Sequence, residues 1–225
     1  MHNQQHRITI QLDLDGYSFT IYDRNGRRVS EERHECRSGV SAEDLRPVLE
    51  QRPASLSIYV PTWKYVLVPQ SHFAAEDIRS YLDAVRETGP DDKVLMHELP
   101  SRKAVLIFAV DEGLMDGVSA LCPDAVFYPL SYVLIDRMSS MEDNNRLVAA
   151  FSGGMLHVAA AERDRLLFAN TFPVSDTVTA EYFIFSVAKE VLFNMEHTRL
   201  YIFGSVPCDM EKSLRRYFSD IKYLQ

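Results

Sequence analysis

Cysteine is scarce in this 225-residue chain, and the three present, Cys36, Cys122 and Cys208, lie far apart and never in a CxxC pair. An odd, scattered set excludes a disulfide framework and points to a reducing compartment with buried or idle thiols. Long apolar runs are missing too. Stretches such as 104–110 fall far short of the roughly 20 residues that span a bilayer. The first seven residues are polar and lead straight into a strand pattern without a signal peptide, so a cytoplasmic chain is expected. Positive charge is in short supply, with a net charge of −8. An acidic surface repels phosphate backbones, which argues against nucleic-acid partners. The two basic runs, 24–28 and 212–216, read as a turn between strands and the wet face of a terminal helix.

Several chemical signatures are also missing. There is no GxxxxGK[ST] phosphate loop and no GxGxxG, and Ser152 beside Gly153 is only a faint echo of a GxSxG elbow. The seven histidines form no HExxH pair. His34 and Cys36 alternate along a predicted strand, but two ligands do not close a metal site. Asp13 and Asp15 alone fall short of the carboxylate set that a two-metal nuclease needs.

What is present is an ordinary globular composition, 46% hydrophobic and 25% charged, enough to bury a real core. Ile8, Ile10, Leu12 and Leu14 alternate with polar residues, which predicts a half-buried strand. Asp15-Gly16 turns the chain into a second strand, 17–22, and Asn25-Gly26 is the strongest short hairpin signal in the chain, because both turn positions tolerate positive φ. A third strand follows over 28–34. Ser41 opens a capped helix to about 51. Strands are expected at 55–60 and 65–68, a helix over 74–87, paired strands at 93–98 and 103–110, a helix over 112–121 and a strand at 125–128. The polar stretch 139–145 is the best linker in the chain.

The second half begins as the first did. Strands at 147–151, 155–161 and 166–172 are joined by turns at Gly153-Gly154 and Arg163-Asp164. Ten positions separate Gly16 from Gly26, and ten separate Gly154 from Asp164. A helix over 179–194, apolar nearly all round and so expected to be deeply buried, precedes a strand at 200–203, a helix at 209–217 and a strand at 221–224. Three strands, helix, strand, helix, strand is the ribonuclease-H-like order. Two copies predict an α/β chain of the actin-like ATPase fold, with two mixed five-stranded sheets. The first lobe spans 1–138 with an insertion, and the second spans 146–225.

Certain stretches resemble a family of Bacteroidetes proteins, domain-of-unknown-function family 3822. They are Leu12-Asp13-Leu14-Asp15-Gly16-Tyr17-Ser18-Phe19, Tyr65-Val66-Leu67-Val68-Pro69, Asn170-Thr171-Phe172, Glu181-Tyr182-Phe183 and the closing Leu200-Tyr201-Ile202-Phe203-Gly204. The family usually opens its late helix with an acidic residue and two tyrosines, so Glu181-Tyr182-Phe183 is a mild departure. The resemblance implies an actin-like architecture, distantly similar to cytoplasmic pilus- and secretion-assembly proteins, and no assigned activity.

Actin-like ATPases hold phosphates on backbone N–H groups of two acidic hairpin turns, whose carboxylates position Mg²⁺ and water. Here Asp13, Asp15 and Gly16 furnish a fair first turn. The second, Ser152-Gly153-Gly154, has no carboxylate, and the turn at Gly204-Ser205 offers a single glycine where an adenosine site wants several. The expectation is therefore a scaffold or protein-interaction module without a cofactor. The alternative is a Mg-ATP-binding protein using those eight residues. Tyr59, Trp63, Tyr65 and Phe73 cluster around two prolines and form a candidate protein-binding patch. Core packing at strand ends is the competing reading. The partner is expected to be a protein, with a homodimer among the choices.

Overall fold

The structure is a computed structural model describing residues 6–36 and 39–224. It divides into two compact units, Met1–Glu98 with Val105–Pro129 and Leu99–Ala104 with Leu130–Gln225.

The first unit starts with β1 (Arg7–Leu12), β2 (Gly16–Tyr22), β3 (Arg28–Glu35), α1 (Ala42–Leu49) and β4 (Ser55–Val60). An insertion of β5 (Tyr65–Pro69), α2 (Ile78–Asp83), β6 (Asp92–Leu99) and β7 (Ala104–Asp111) precedes α3 (Glu112–Leu121) and β8 (Val126–Pro129). The main sheet has the order β3-β2-β1-β4-β8, with β1 antiparallel to β2 and parallel to β4. Period-two burial in β1 and β4 sends Ile8, Ile10, Leu56 and Ile58 inward. Ser41 caps α1 reciprocally with Asp44. The helix lies so close to α3 that a Cβ on Gly117 would stand 2.4 Å from the Ala42 Cβ. The insertion makes its own sheet, β5-β7-β6, over a small core of Val68, Leu82, Val105 and Ile107.

The second unit holds α4 (Leu130–Met138), β9 (Asn145–Ser152), β10 (Met155–Glu162), β11 (Arg165–Pro173), α5 (Thr177–Glu190), β12 (Arg199–Phe203), α6 (Cys208–Leu214) and β13 (Asp220–Leu224). Its sheet runs β11-β10-β9-β12-β13, the same order as the first. One face, with Leu147, Leu156, Val158 and Ile202, packs on Ile184, Val187 and Leu214 from α5 and α6. Residues that alternate with these, such as His157, face the opposite side, where α4 packs on β9, β10 and β11. Among the described residues, no helix is long and apolar enough to cross a membrane.

Several expectations need correction. Leu14 is 64% exposed, because β1 ends at Leu12 and the residue rides the tip of a turn. The hairpin at Asn25-Gly26 is present but is not a tight two-residue turn, and of the two residues only Gly26 has positive φ, at 75°. Asp23 Oδ1 instead accepts from the Asn25 and Arg27 N–H groups, which organises a longer loop. The helix read over 74–87 is confined to α2, since Asp77 caps it at Ile78 and Asp83 accepts from the Thr88 hydroxyl and N–H beyond its end. On α5, Val178 and Tyr182 are exposed, so that helix buries one face and not its whole circumference. The stretch 139–145 is held down: Met141 is buried and Asp143 receives hydrogen bonds from Arg199 and Tyr201.

Candidate functional site

The turn from β1 to β2 is closed by the Asp13 N–H, which donates to the Gly16 carbonyl at 2.8 Å. Gly16 is required by a close approach, for a Cβ there would lie 2.0 Å from the His34 carbonyl oxygen. Asp13 Oδ1 accepts from the Leu14 N–H at 2.9 Å, as short acidic side chains do in turns. The neighbouring strand supplies a cation. Arg33 Nη2 stands 3.0 Å from Asp15 Oδ1 and 3.9 Å from Asp13 Oδ2. Both carboxylates already have a guanidinium partner from their own sheet.

The second turn is chemically different. Ser152 and Met155 pair directly, leaving a two-residue connection in which Gly153 and Gly154 have φ of 63° and 65°. This is the type I′ geometry that suits the twist of a hairpin and strongly prefers glycine. The Gly154 carbonyl accepts from the Val174 N–H at 2.9 Å, and Ser152 is buried. No side chain in this turn carries charge. Gly204 takes φ 85° after β12, with Ser205 exposed beside it.

The four aromatic residues do not form one patch. Tyr65 is buried, and Phe73 stacks on Tyr81 at 6.0 Å within the insertion. Tyr59 meets Tyr128 edge-on at 6.3 Å. Trp63 alone is widely open, 43% exposed, with the Arg86 guanidinium 5.6 Å from its ring centre. It lines a cleft of about 290 Å³ whose apolar wall includes Leu12, Val60, Val110 and Leu114. Lys64 and Asp92 form an ion pair in the wall. Burial of Asp92 works against its charge, but Lys64 and the Gly89 N–H outweigh it and hold the carboxyl below its usual range. Residues from β1, β4, β7 and α3 converge here, so no spacing in the sequence marks the site.

Deep in the second unit, His157 is fully buried, its Nδ1 3.0 Å from Thr171 Oγ1. Burial pushes this imidazole down to about 4. Its Nε2 has no hydrogen-bond partner. His34, weighed above as a ligand beside Cys36, stacks on Tyr17 and Phe19 with centroids 5.1 and 5.7 Å apart. Among the described residues no three His, Cys, Asp or Glu side chains converge as a metal site would require.

Residues 1–221 match the family described as protein of unknown function (DUF3822). A Bacteroides thetaiotaomicron protein with an actin-like ATPase fold and unknown function superposes with a TM-score of 0.83 at 22% identity, covering 99% of this chain and 91% of that one. The PilM–PilN type IV pilus biogenesis complex contains a chain that superposes with a TM-score of 0.57 at 11% identity, covering 97% of this chain and 88% of that one. No curated protein matches the sequence. The fold is thus actin-like, as the strand order predicted.

Proposed function

Because the chain belongs to the DUF3822 family and has an actin-like fold, we propose that it is a non-catalytic protein-interaction module that uses the fold as a scaffold. The observation that carries this reading is the chemistry of the two hairpins. One has two carboxylates that already share the Arg33 guanidinium, and the other is an uncharged Gly-Gly turn whose glycines answer a backbone requirement. Mg-ATP fits such a pair poorly. The metal would have to compete with a guanidinium on one side and would find no acid on the other. The cleft beside Trp63 offers what a protein partner uses: an exposed aromatic at the mouth of an apolar recess, with a satisfied ion pair in its wall. A chain of the same fold occurs in a PilM–PilN complex, so protein partnership is a use that the fold accommodates.

Calorimetric titration with Mg-ATP is the test. The expected result is no saturable heat and no rise in melting temperature. Micromolar binding that Asp13→Ala abolishes would replace this reading with a nucleotide-binding one. The chain has one tryptophan, so the fluorescence of Trp63 reports directly on occupation of the cleft.

A further inference from the structure

The cleft beside Trp63 is lined wholly by residues of the first unit. Leu12 and Val60 are the last residues of β1 and β4, which run parallel and side by side. The recess therefore sits at the carboxyl ends of two inner strands, where α/β sheets usually take their ligands. Its walls are apolar, and most charges around them are already answered. Asp92 pairs with Lys64 and accepts from the Gly89 N–H at 2.7 Å. Asp111 caps α3, its Oδ1 accepting from the Leu114 N–H at 2.7 Å, where the positive end of the helix offsets its charge. Glu112 meets Lys93 at 3.2 Å. Arg79 donates to the Thr88 hydroxyl and to the Asp92 carbonyl, each at 2.6 Å.

Arg86 is the exception. Its guanidinium stands over Trp63, 5.6 Å from the ring centre, yet among the described residues no carboxylate pairs with it. Its Nη1 donates to the Val85 carbonyl at 3.3 Å, and its buried Nε has no hydrogen-bond partner. A carboxylate is the acceptor whose two oxygens match a guanidinium best. Contact with the indole also restrains the side chain in advance, which lowers the ordering cost of a later ion pair.

We infer that the cleft receives a protein segment in which a large apolar side chain lies next to a carboxylate. The apolar group fills the recess against Leu12, Val60, Val110 and Leu114, and the carboxylate meets Arg86 beside the indole. This rests on the reading of the cleft as a protein-binding site and adds the charge of the partner to it. The net charge of −8 would by itself favour a basic partner. At physiological salt, charges farther off than about 8 Å are largely screened, so the unanswered cation at the cleft decides the contact.

The test titrates the chain with the acetylated peptide amides Glu-Leu-Phe-Glu, Gln-Leu-Phe-Gln and Lys-Leu-Phe-Lys while following Trp63 fluorescence. None of them contains tryptophan, so the signal belongs to the cleft. The acidic peptide is expected to bind about threefold more tightly than the neutral one, with the basic one weakest. Raised salt should compress that ranking. Arg86→Gln should abolish the advantage of the acidic peptide, and Arg86→Lys, which keeps the charge, should retain part of it. An acidic peptide that binds no more tightly than the neutral one overturns the inference and leaves the cleft as an apolar docking site. A preference for the basic peptide overturns it as well. Failure of all three to bind overturns both the inference and the reading beneath it.

Discussion

The Nδ1 atom of His157 lies 3.0 Å from Thr171 Oγ1, joining β10 to β11 across a layer where the histidine has no exposure to solvent. Burial lowers its pKa from 6.5 to about 4, so the folded state keeps the ring neutral while the unfolded chain protonates near 6.5. The stabilising difference is complete above pH 6.5 and is lost as pH falls toward 4. It amounts to roughly 3 kcal/mol. Urea unfolding at several pH values should show this slope in the wild type and a flatter one in His157→Leu. Equal slopes in the two proteins would refute the assignment.

A second pH window belongs to Asp143. Burial raises the pKa of its carboxyl, but the hydrogen bond from Tyr201 and the charge of Arg199 outweigh that and leave it below the usual value of 3.8. The stability it contributes is present above that value and disappears as pH falls below it. Asp143 and Arg199 side chains are each 29% exposed, so solvent screening keeps the contribution to about 1 kcal/mol. Asp143→Asn should lower the melting temperature at pH 7 and leave the His157 window untouched. An unchanged melting point would mean that 139–145 behaves as a free linker after all.

Helix contact in the first unit can be tested by exchange of a methyl group. Gly117→Ala brings a Cβ to 2.4 Å from that of Ala42, and overpacking of this kind costs about 1–3 kcal/mol. Adding Ala42→Gly should recover part of the loss despite the poorer helix propensity of glycine. Strict additivity in the double variant would show that the two positions do not touch.

The first hairpin has a sharper requirement. Gly16→Ala places a Cβ 2.0 Å from a backbone carbonyl oxygen, which side-chain rotation cannot relieve. A loss of about 3 kcal/mol or more is expected by chemical denaturation, at the severe end for single substitutions. A mild effect would mean that β3 is free to move away from the turn.

Much of the fold could be read in advance because its strands are patterned. The alternation in β1 and β4 and the glycines of the β9–β10 turn have local causes, so they appear in the sequence as local signals. The end of α2 did not, because Ile78, Leu82 and Val85 keep helical spacing past the point where Asp83 turns back to cap Thr88. The aromatic group misled for a related reason. Tyr59, Trp63, Tyr65 and Phe73 are neighbours along the chain, yet strand alternation and the insertion send Tyr65 inward and Phe73 onto Tyr81. Conversely, Arg33 meets Asp15 from 18 positions away, a pairing that depends on strand register and is invisible in spacing.

The place of the insertion has a consequence for biogenesis. β4 ends at Val60, and its parallel neighbour β8 begins only at Val126. A chain emerging from the ribosome therefore presents the flank of β4, with Ile58 at its centre, long before the strand that covers it has been made. A fragment stopped after Asp111 would carry that unfinished flank permanently and should aggregate, whereas one extended through Pro129 supplies its own closing strand.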